Sequence, residues 1–323
     1  MPNVLGIENP LVDFVGHVDF DVVRRVGARP GTMNLVDEEL MRAVLATLPS
    51  CETVPGGSCA NTIRGIAWLR GPAPEPRTSY SGAIGNDWHG RLFEEGLRSS
   101  GVEPHLSRKG TPTGVSVILV TPDHERTMFT YLGACREYGP SDLPLERLDS
   151  TDLLYITGYD WDTEPQKAAA REAVERVRAR GVEVALDVAD PFVATRYREE
   201  FLAWIPGRVD ILFANRTELS TLTGEVGDER ILRTASALAP TVLMKVGSRG
   251  SLFLHGGNVG ASASWPATVV DTTGAGDAFA AGYLYGHLAG LGAEASSILA
   301  NRVAAAVVSV EGCRYLGAPP RGV

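Results

Sequence analysis

The feature that most constrains this chain is the alternation of short apolar runs with helical stretches through its second half. LLYITG (153–158), VEVALDV (182–188), DILFAN (210–215) and TVLMKV (241–246) are rich in aliphatic and β-branched residues and too short for core helices. They read as buried strands. Residues 164–180 between them are charged, Ala-rich and stopped by Gly181, and 191–204 open on Pro191; both read as helices. SLFL (251–254) adds a strand after a Gly-rich turn, and 274–288 and 293–310 read as helices of small residues. Strands that alternate with helices imply an α/β fold with a mostly parallel sheet covered on both faces.

The first 150 residues keep this pattern in NVLGI, a helix over 58–70, a strand over 78–82 and a helix over 87–100. Two segments break it. Residues 11–36 alternate in polarity without a clear helix. GVSVILV (114–120) and RTMFTYL (126–132), joined by the turn-like TPDHE, form an antiparallel hairpin pattern. The expected organisation is an α/β core of 1–10, 37–110 and 133–323, with a small β lid from 11–36 and 111–132.

The chain has 323 residues, room for a large core and a small appendage. Its net charge of −9 makes nucleic acid and anionic membrane surfaces poor partners. No signal-peptide pattern opens the chain, and no apolar run reaches membrane-spanning length. Cys51, Cys59, Cys135 and Cys313 form no CxxC pair or Cys/His cluster, which disfavours zinc and fits a reducing cytoplasm.

The chemistry concentrates in Asp271-Thr272-Thr273-Gly274-Ala275-Gly276-Asp277-Ala278-Phe279, between a strand-like apolar run at 267–270 and a helix of small residues. Glycines at 274 and 276 let the backbone turn tightly and aim successive N–H groups outward at a helix start. The helix dipole favours negative charge there, so a phosphoryl group fits. Asp277 enters the first helical turn beside that anion site, placed to accept the proton of an attacking hydroxyl. A Gly-rich turn with an Asp cap is the plain alternative for any Gly-x-Gly-Asp alone.

The nine-residue string resembles the signature of the ribokinase-like (PfkB) carbohydrate and nucleoside kinases. In that family Gly274, Ala275, Gly276 and Asp277 would form the anion hole and the catalytic base. Gly56-Gly57-Ser58-Cys59-Ala60-Asn61 looks like the family's Gly-Gly-x-x-x-Asn substrate loop. Asn215-Arg216-Thr217-Glu218 is similar to its N-x-x-E element, which orders Mg²⁺ through water. Lys245-Val246-Gly247-Ser248-Arg249-Gly250 looks like its strand-turn segment under the nucleotide. The resemblance also implies Thr272 and Asn301 on the nucleotide side. These motifs run in the family's order over nearly the whole chain. They imply ATP and Mg²⁺ as cofactors, with K⁺ beside the anion hole left open because such a site is built of backbone carbonyls.

Within the family, Gly6-Ile7-Glu8-Asn9-Pro10-Leu11-Val12-Asp13 is most similar to the adenosine kinase branch. That likeness implies Asn9 and Asp13 as substrate residues, with Gly56, Gly57, Ser58 and Asn61 completing a ribose cradle. It also implies Arg126 reaching the phosphates from the lid, a role that suits a planar, permanently charged fork. Read alone, Asp13 is also a turn residue, Asn61 a helix cap, and Glu218 and Arg126 solvated charges.

The sequence departs from that branch in two places. Asp160, within Tyr159-Asp160-Trp161-Asp162, aligns with a ring that stacks on the purine, so Tyr159 or Trp161 would supply the ring, or Asp160 would bind the hydroxyls of a sugar. Met33 stands where an amide is usual. The expected function is an ATP-dependent kinase acting on the primary hydroxyl of a nucleoside of adenosine type. A sugar kinase for fructose, ribose or a related sugar is the alternative. A non-catalytic nucleotide- or sugar-binding sensor is the alternative from another class, and the retained Asp277 argues against it. No G-x-G-x-x-G follows the first strand, which disfavours a dinucleotide oxidoreductase. A monomer and a homodimer both fit an exposed lid edge.

Overall fold

The computed structural model describes residues 2–320 apart from 28, 29 and 124. Those three positions, residue 1 and residues 321–323, including one residue of the TPDHE turn, lie outside the described residues. In chain order the strands are β1 (Asn3–Ile7), β2 (Leu11–His17), β3 (Met33–Leu35), β4 (Glu52–Pro55), β5 (Arg77–Gly85), β6 (Glu103–Lys109), β7 (Gly114–Val120), β8 (Arg126–Tyr131), β9 (Leu153–Thr157), β10 (Glu183–Asp187), β11 (Ile211–Asn215), β12 (Thr241–Lys245), β13 (Ser251–His255) and β14 (Asn258–Ser262).

They form two sheets. The nine-stranded sheet has the order β14-β13-β12-β11-β10-β9-β1-β5-β6. It is parallel from β12 to β6, with antiparallel pairing only at β12–β13 and β13–β14. Its central strands are buried on both faces, as a helix-covered parallel sheet requires. From β1 the chain builds outward through β5 and β6, then returns to the other side of β1 with β9. The strand order therefore reverses at β1/β9, the place where open α/β sheets leave a crevice at their carboxyl ends.

The second sheet has the order β3-β8-β7-β2-β4. The hairpin forms with Val120 opposite Arg126. Alternation along β2 sends Val12 and Phe14 to one face and Leu11 and Asp13 to the other. The first face is buried with Val23 and Met41, from helices Phe20–Val26 and Glu38–Leu45. The second face looks across at the carboxyl ends of the large sheet.

Four readings need correction. A helix forms within 11–36, at Phe20–Val26, closed by Gly27 in the left-handed region. β4 lies in a stretch assigned to the core yet pairs with β2 of the small sheet. The run at 267–270 makes no strand: Val270 N donates to Val308 O, and the Val269 and Val270 side chains are exposed. Residues 191–204 form two helices, Pro191–Arg196 and Arg198–Trp204, broken at Tyr197. No helix among the described residues is long and apolar enough to cross a membrane.

Candidate active site

A cavity of about 300 Å³ lies between the small sheet and the carboxyl ends of β1, β9, β10 and β12. Two helix starts converge on it. Helix Ser58–Arg70 and helix Ala275–Leu288 pack so closely that a Cβ on Gly65 would stand 2.6 Å from that of Ala281. This approach brings the first turn of one helix onto the first turn of the other. Ser58 Oγ donates to Asp277 Oδ1 at 2.7 Å, and Asn61 Nδ2 donates to Oδ2 at 3.0 Å. The Asn61 side-chain oxygen is buried without a hydrogen-bond partner. A buried acceptor of that kind on a cavity wall is placed for a ligand hydroxyl.

Gly274 caps the second helix at φ 72°, in the left-handed region, and a Cβ there would collide with Cys313 Sγ. Glycine therefore meets two demands at once. Having no side chain, it leaves the amides of Gly276 and Asp277 uncapped, while Ala275 N donates to Thr272 O at 3.2 Å. Asp271 braces this loop by accepting from Thr273 N, Thr273 Oγ1 and Gly312 N. Burial works to raise the Asp271 carboxyl, but these bonds and Arg126 hold it below its ordinary value. Arg126 arrives from β8 and donates to Thr272 Oγ1 at 3.2 Å and to Thr273 Oγ1, tying the small sheet to the loop.

Opposite the loop, Lys245 at the end of β12 donates to Asp187 Oδ2 at 2.8 Å. A Cβ on Gly276 would stand 3.2 Å from its ammonium nitrogen. Burial opposes the Lys245 charge, but Asp187 and then Glu218 hold it protonated above its ordinary range. Burial pushes Asp277 up to about 6, against the bonds from Asn61 and Ser58. Asp13 rises to about 7, first through burial and then through Asp277. Ala189, on the same wall, is the one non-glycine residue at positive φ (73°) among those described. Its turn lets both Asp187 and Asp190 reach the cavity, at the cost of local strain.

Of the residues singled out from the sequence, Asn9, Asp13, Gly57, Ser58, Asn61, Arg126, Lys245 and Thr272 line this cavity, with the whole run Gly274–Asp277. Gly56 does not line it but abuts the Asp13 carboxylate so tightly that a Cβ would collide with it. Gly247 and Gly250 form the turn between β12 and β13, away from the cavity. Asn301 does not line this cavity: its amide donates to Ser251 Oγ at 3.0 Å and to Ser262 O at 3.2 Å, fastening β13 and β14 to the helix Ala293–Val308. Asn215 and Glu218 form a reciprocal helix cap. Glu218 Oε2 accepts from Asn215 N at 2.7 Å, and Glu218 N donates back to Asn215 Oδ1 at 2.9 Å. They stand behind the cavity wall, and burial raises the Glu218 carboxyl.

The Tyr159–Asp162 segment resolves differently from any single expectation. Tyr159 lines the cavity. Asp160 is buried under it, accepting from Thr157 N at 3.4 Å, and Trp161 packs edge-on against Phe201 and Trp204. Glu8, given no role from the sequence, also lines the cavity. It accepts from Thr157 Oγ1 at 2.6 Å and Cys59 N at 3.0 Å, and burial lifts its carboxyl to about 8. Its place just after β1, beside Asn9, was the available signal.

A carboxylate held beside an uncapped helix start, with Arg126 and Lys245 on either side, defines a phosphotransferase site. The chain belongs to the pfkB family of carbohydrate kinases, whose model matches residues 25–320. These enzymes are phosphotransferases acting on hydroxyl groups, and the fold is ribokinase-like. The adenosine kinase of Sinorhizobium meliloti is similar over 98% of this chain and 97% of that one, at 34% identity and a TM-score of 0.92. A probable sugar kinase from Rhizobium etli is similar over 98% and 96%, at 32% identity and the same TM-score of 0.92. Ribokinase of Arabidopsis thaliana is 32% identical over 81% of this chain and 69% of its own length.

Proposed function

We propose that the chain transfers the γ-phosphoryl group of ATP to the primary hydroxyl of a nucleoside. The observation that carries this reading is the division of the cavity. Its two cations, Arg126 and Lys245, both sit at the Gly274–Asp277 end. Beyond Arg126 on the small sheet the lining is Met33, Leu35, Ile118, Met128 and Leu132, and the large sheet adds Tyr159. Aliphatic side chains with a ring suit a flat, uncharged base better than a bare sugar. Among the described residues no further cation lines the cavity, Arg196 standing behind Asp162, so a phosphorylated or acidic acceptor would face Glu8, Asp162 and Asp190.

ATP supplies the phosphoryl group, and Mg²⁺ screens its charge when both are bound. The helix-start amides, Arg126 and Lys245 fit a polyphosphate, and Asn215 and Glu218 would meet Mg²⁺ through water. Asp277 accepts the proton of the attacking hydroxyl, while Ser58 and Asn61 orient both carboxylate oxygens. The amides of Gly274, Gly276 and Asp277, which make no hydrogen bond within the loop, stabilise the developing charge, at about 3 kcal/mol per well-aimed donor. Asn9 and Asp13 hold the ribose hydroxyls. The small sheet covers the site and keeps water from the phosphoryl group.

The test is ADP release over adenosine, inosine, guanosine, ribose, fructose and 2-keto-3-deoxygluconate. Turnover of at least one nucleoside well above that of every sugar is expected. Turnover with sugars alone would refute the reading. The sugar reading keeps one supporting observation, since Asn9 and Asp13 would hold the hydroxyls of a free sugar as readily as those of ribose.

A further inference from the structure

Asp162 follows β9 and lines the cavity, yet the phosphoryl transfer described above does not use it. Its side chain is 1% exposed. Arg196 donates to its Oδ1 at 2.9 Å and Tyr197 to the same oxygen at 3.1 Å. No hydrogen bond from the described residues reaches Oδ2. One oxygen is clamped from behind, and the other accepts no hydrogen bond, in a residue of the cavity wall. A buried carboxylate oxygen without a donor is costly, so such an atom points to a donor that arrives with the ligand.

The location narrows the donor. The Asp277 carboxylate is bonded by Ser58 and Asn61, at the start of helix Ser58–Arg70, whereas Asp162 is bonded by Arg196 and Tyr197, at the break between helices Pro191–Arg196 and Arg198–Trp204. Arg196 also borders the opening between Thr32–Leu35 and Phe192, beside the aliphatic edge strand β3. Asp162 therefore stands at the end of the cavity remote from the reacting hydroxyl, where a base rather than a ribose would lie.

We propose that Asp162 is a specificity-determining residue, whose free oxygen accepts a hydrogen bond from an N–H on the edge of the acceptor's base. This rests on the nucleoside reading and sharpens it: bases carrying an amino or imino N–H are selected over otherwise identical bases without one. Asp162→Asn tests the inference without changing shape. Arg196 and Tyr197 are both donors, so they keep the single amide oxygen of the variant and turn its NH₂ toward the cavity. The wall then presents a donor where it presented an acceptor.

The measurement is kcat/KM with adenosine and guanosine, whose bases carry such N–H groups, and with purine riboside, which has none. In the wild-type protein the better N–H-bearing nucleoside is expected to exceed purine riboside by about tenfold or more, the effect of one hydrogen bond to a buried charged group. In Asp162→Asn that ratio falls to within about threefold, through KM rather than kcat. Arg196→Gln, which loosens the clamp and keeps the carboxylate, moves the ratio the same way by less. A folded Asp162→Asn protein that retains the wild-type ratio overturns the inference, as does equal use of all three nucleosides by the wild type. Phosphorylation of sugars alone overturns the nucleoside reading itself and this inference with it. Nucleoside turnover with an unmoved ratio overturns only the assignment of Asp162.

Discussion

Two helix starts in this molecule carry an acid at the same position and use it in opposite ways. Helix Arg216–Thr223 begins at Asn215, and Glu218 in its first turn folds back so that its carboxylate and the Asn215 side chain cap each other. Helix Ala275–Leu288 begins at Gly274, and Asp277 in its first turn has no capping side chain to answer. Its carboxylate is claimed by another helix, through Ser58 and Asn61, at the wall of the cavity. The first helix is closed on itself. The second keeps the amides of Gly276 and Asp277 open and its acid on the cavity wall. One residue choice at the cap, Asn or Gly, separates a structural helix start from a reactive one.

The largest expected effect comes from removing the free acid. Asp277→Asn should cut kcat by roughly 10²–10⁴ and leave MgATP affinity by calorimetry nearly unchanged. Near-wild-type turnover would erase the distinction between the two helix starts. Asp13→Ala should raise the acceptor KM about tenfold or more with little change for ATP, as expected for lost binding of hydroxyls. An unmoved acceptor KM removes Asp13 from the site. At the closed helix start, Glu218→Gln keeps the two bonds that involve backbone N–H groups and loses only the one from Asn215 Nδ2, so the fold should persist. The Mg²⁺ concentration for half-maximal activity should rise several-fold, since a carboxylate is lost from behind the phosphate site. If neither Mg²⁺ dependence nor rate moves, Glu218 is a cap and nothing more.

The smallest effect concerns Glu8. Its folded value near 8 lies above the ordinary 4.5, so the folded chain binds this proton more tightly than the unfolded chain does. Stability from this group is therefore complete below about pH 4.5 and is lost as pH rises through about 8. Glu8→Gln keeps both hydrogen bonds, because the amide can accept from Cys59 N and donate to Thr157 Oγ1. It should raise Tm at pH 8, by on the order of 2 kcal/mol in stability, and change it little at pH 4.5. A lowered Tm at pH 8 would mean that the charge of Glu8 is stabilised by something other than these partners.

The alternation of strands and helices, the 114–131 hairpin and the Gly274–Asp277 loop were legible because each is specified by neighbouring residues. β4, β6 and β14 were not. All three are edge strands; β6 carries Pro104, the partners of β4 and β6 are distant in sequence, and β14, hairpinned to β13, has a short, mostly exposed, Gly-containing sequence with little apolar signal. The site divides the same way. Asp277 stands in a local motif, whereas Glu8 acquires its meaning from Thr157, which is 149 residues away. Asp160 and Asp162 differ by two positions and look alike in sequence. One turn of 3₁₀ geometry at Gly158–Asp162 buries the first beneath the second and puts only the second on the cavity wall. The bonds of Asn301 to β13 and β14 were illegible for the converse reason: a motif resemblance carries no information on which strand ends will engage its amide.

The acid limb of kcat/KM for the acceptor tests the open helix start most directly, measured in the wild type and in Asn61→Ala. With Asp277 as the base, the wild-type rate should fall below about pH 6. Deleting the Asn61 donor, which holds the carboxylate ionised, should move the limb to higher pH. A wild-type profile flat to pH 5, or a limb unmoved by Asn61→Ala, would show that another group takes the proton.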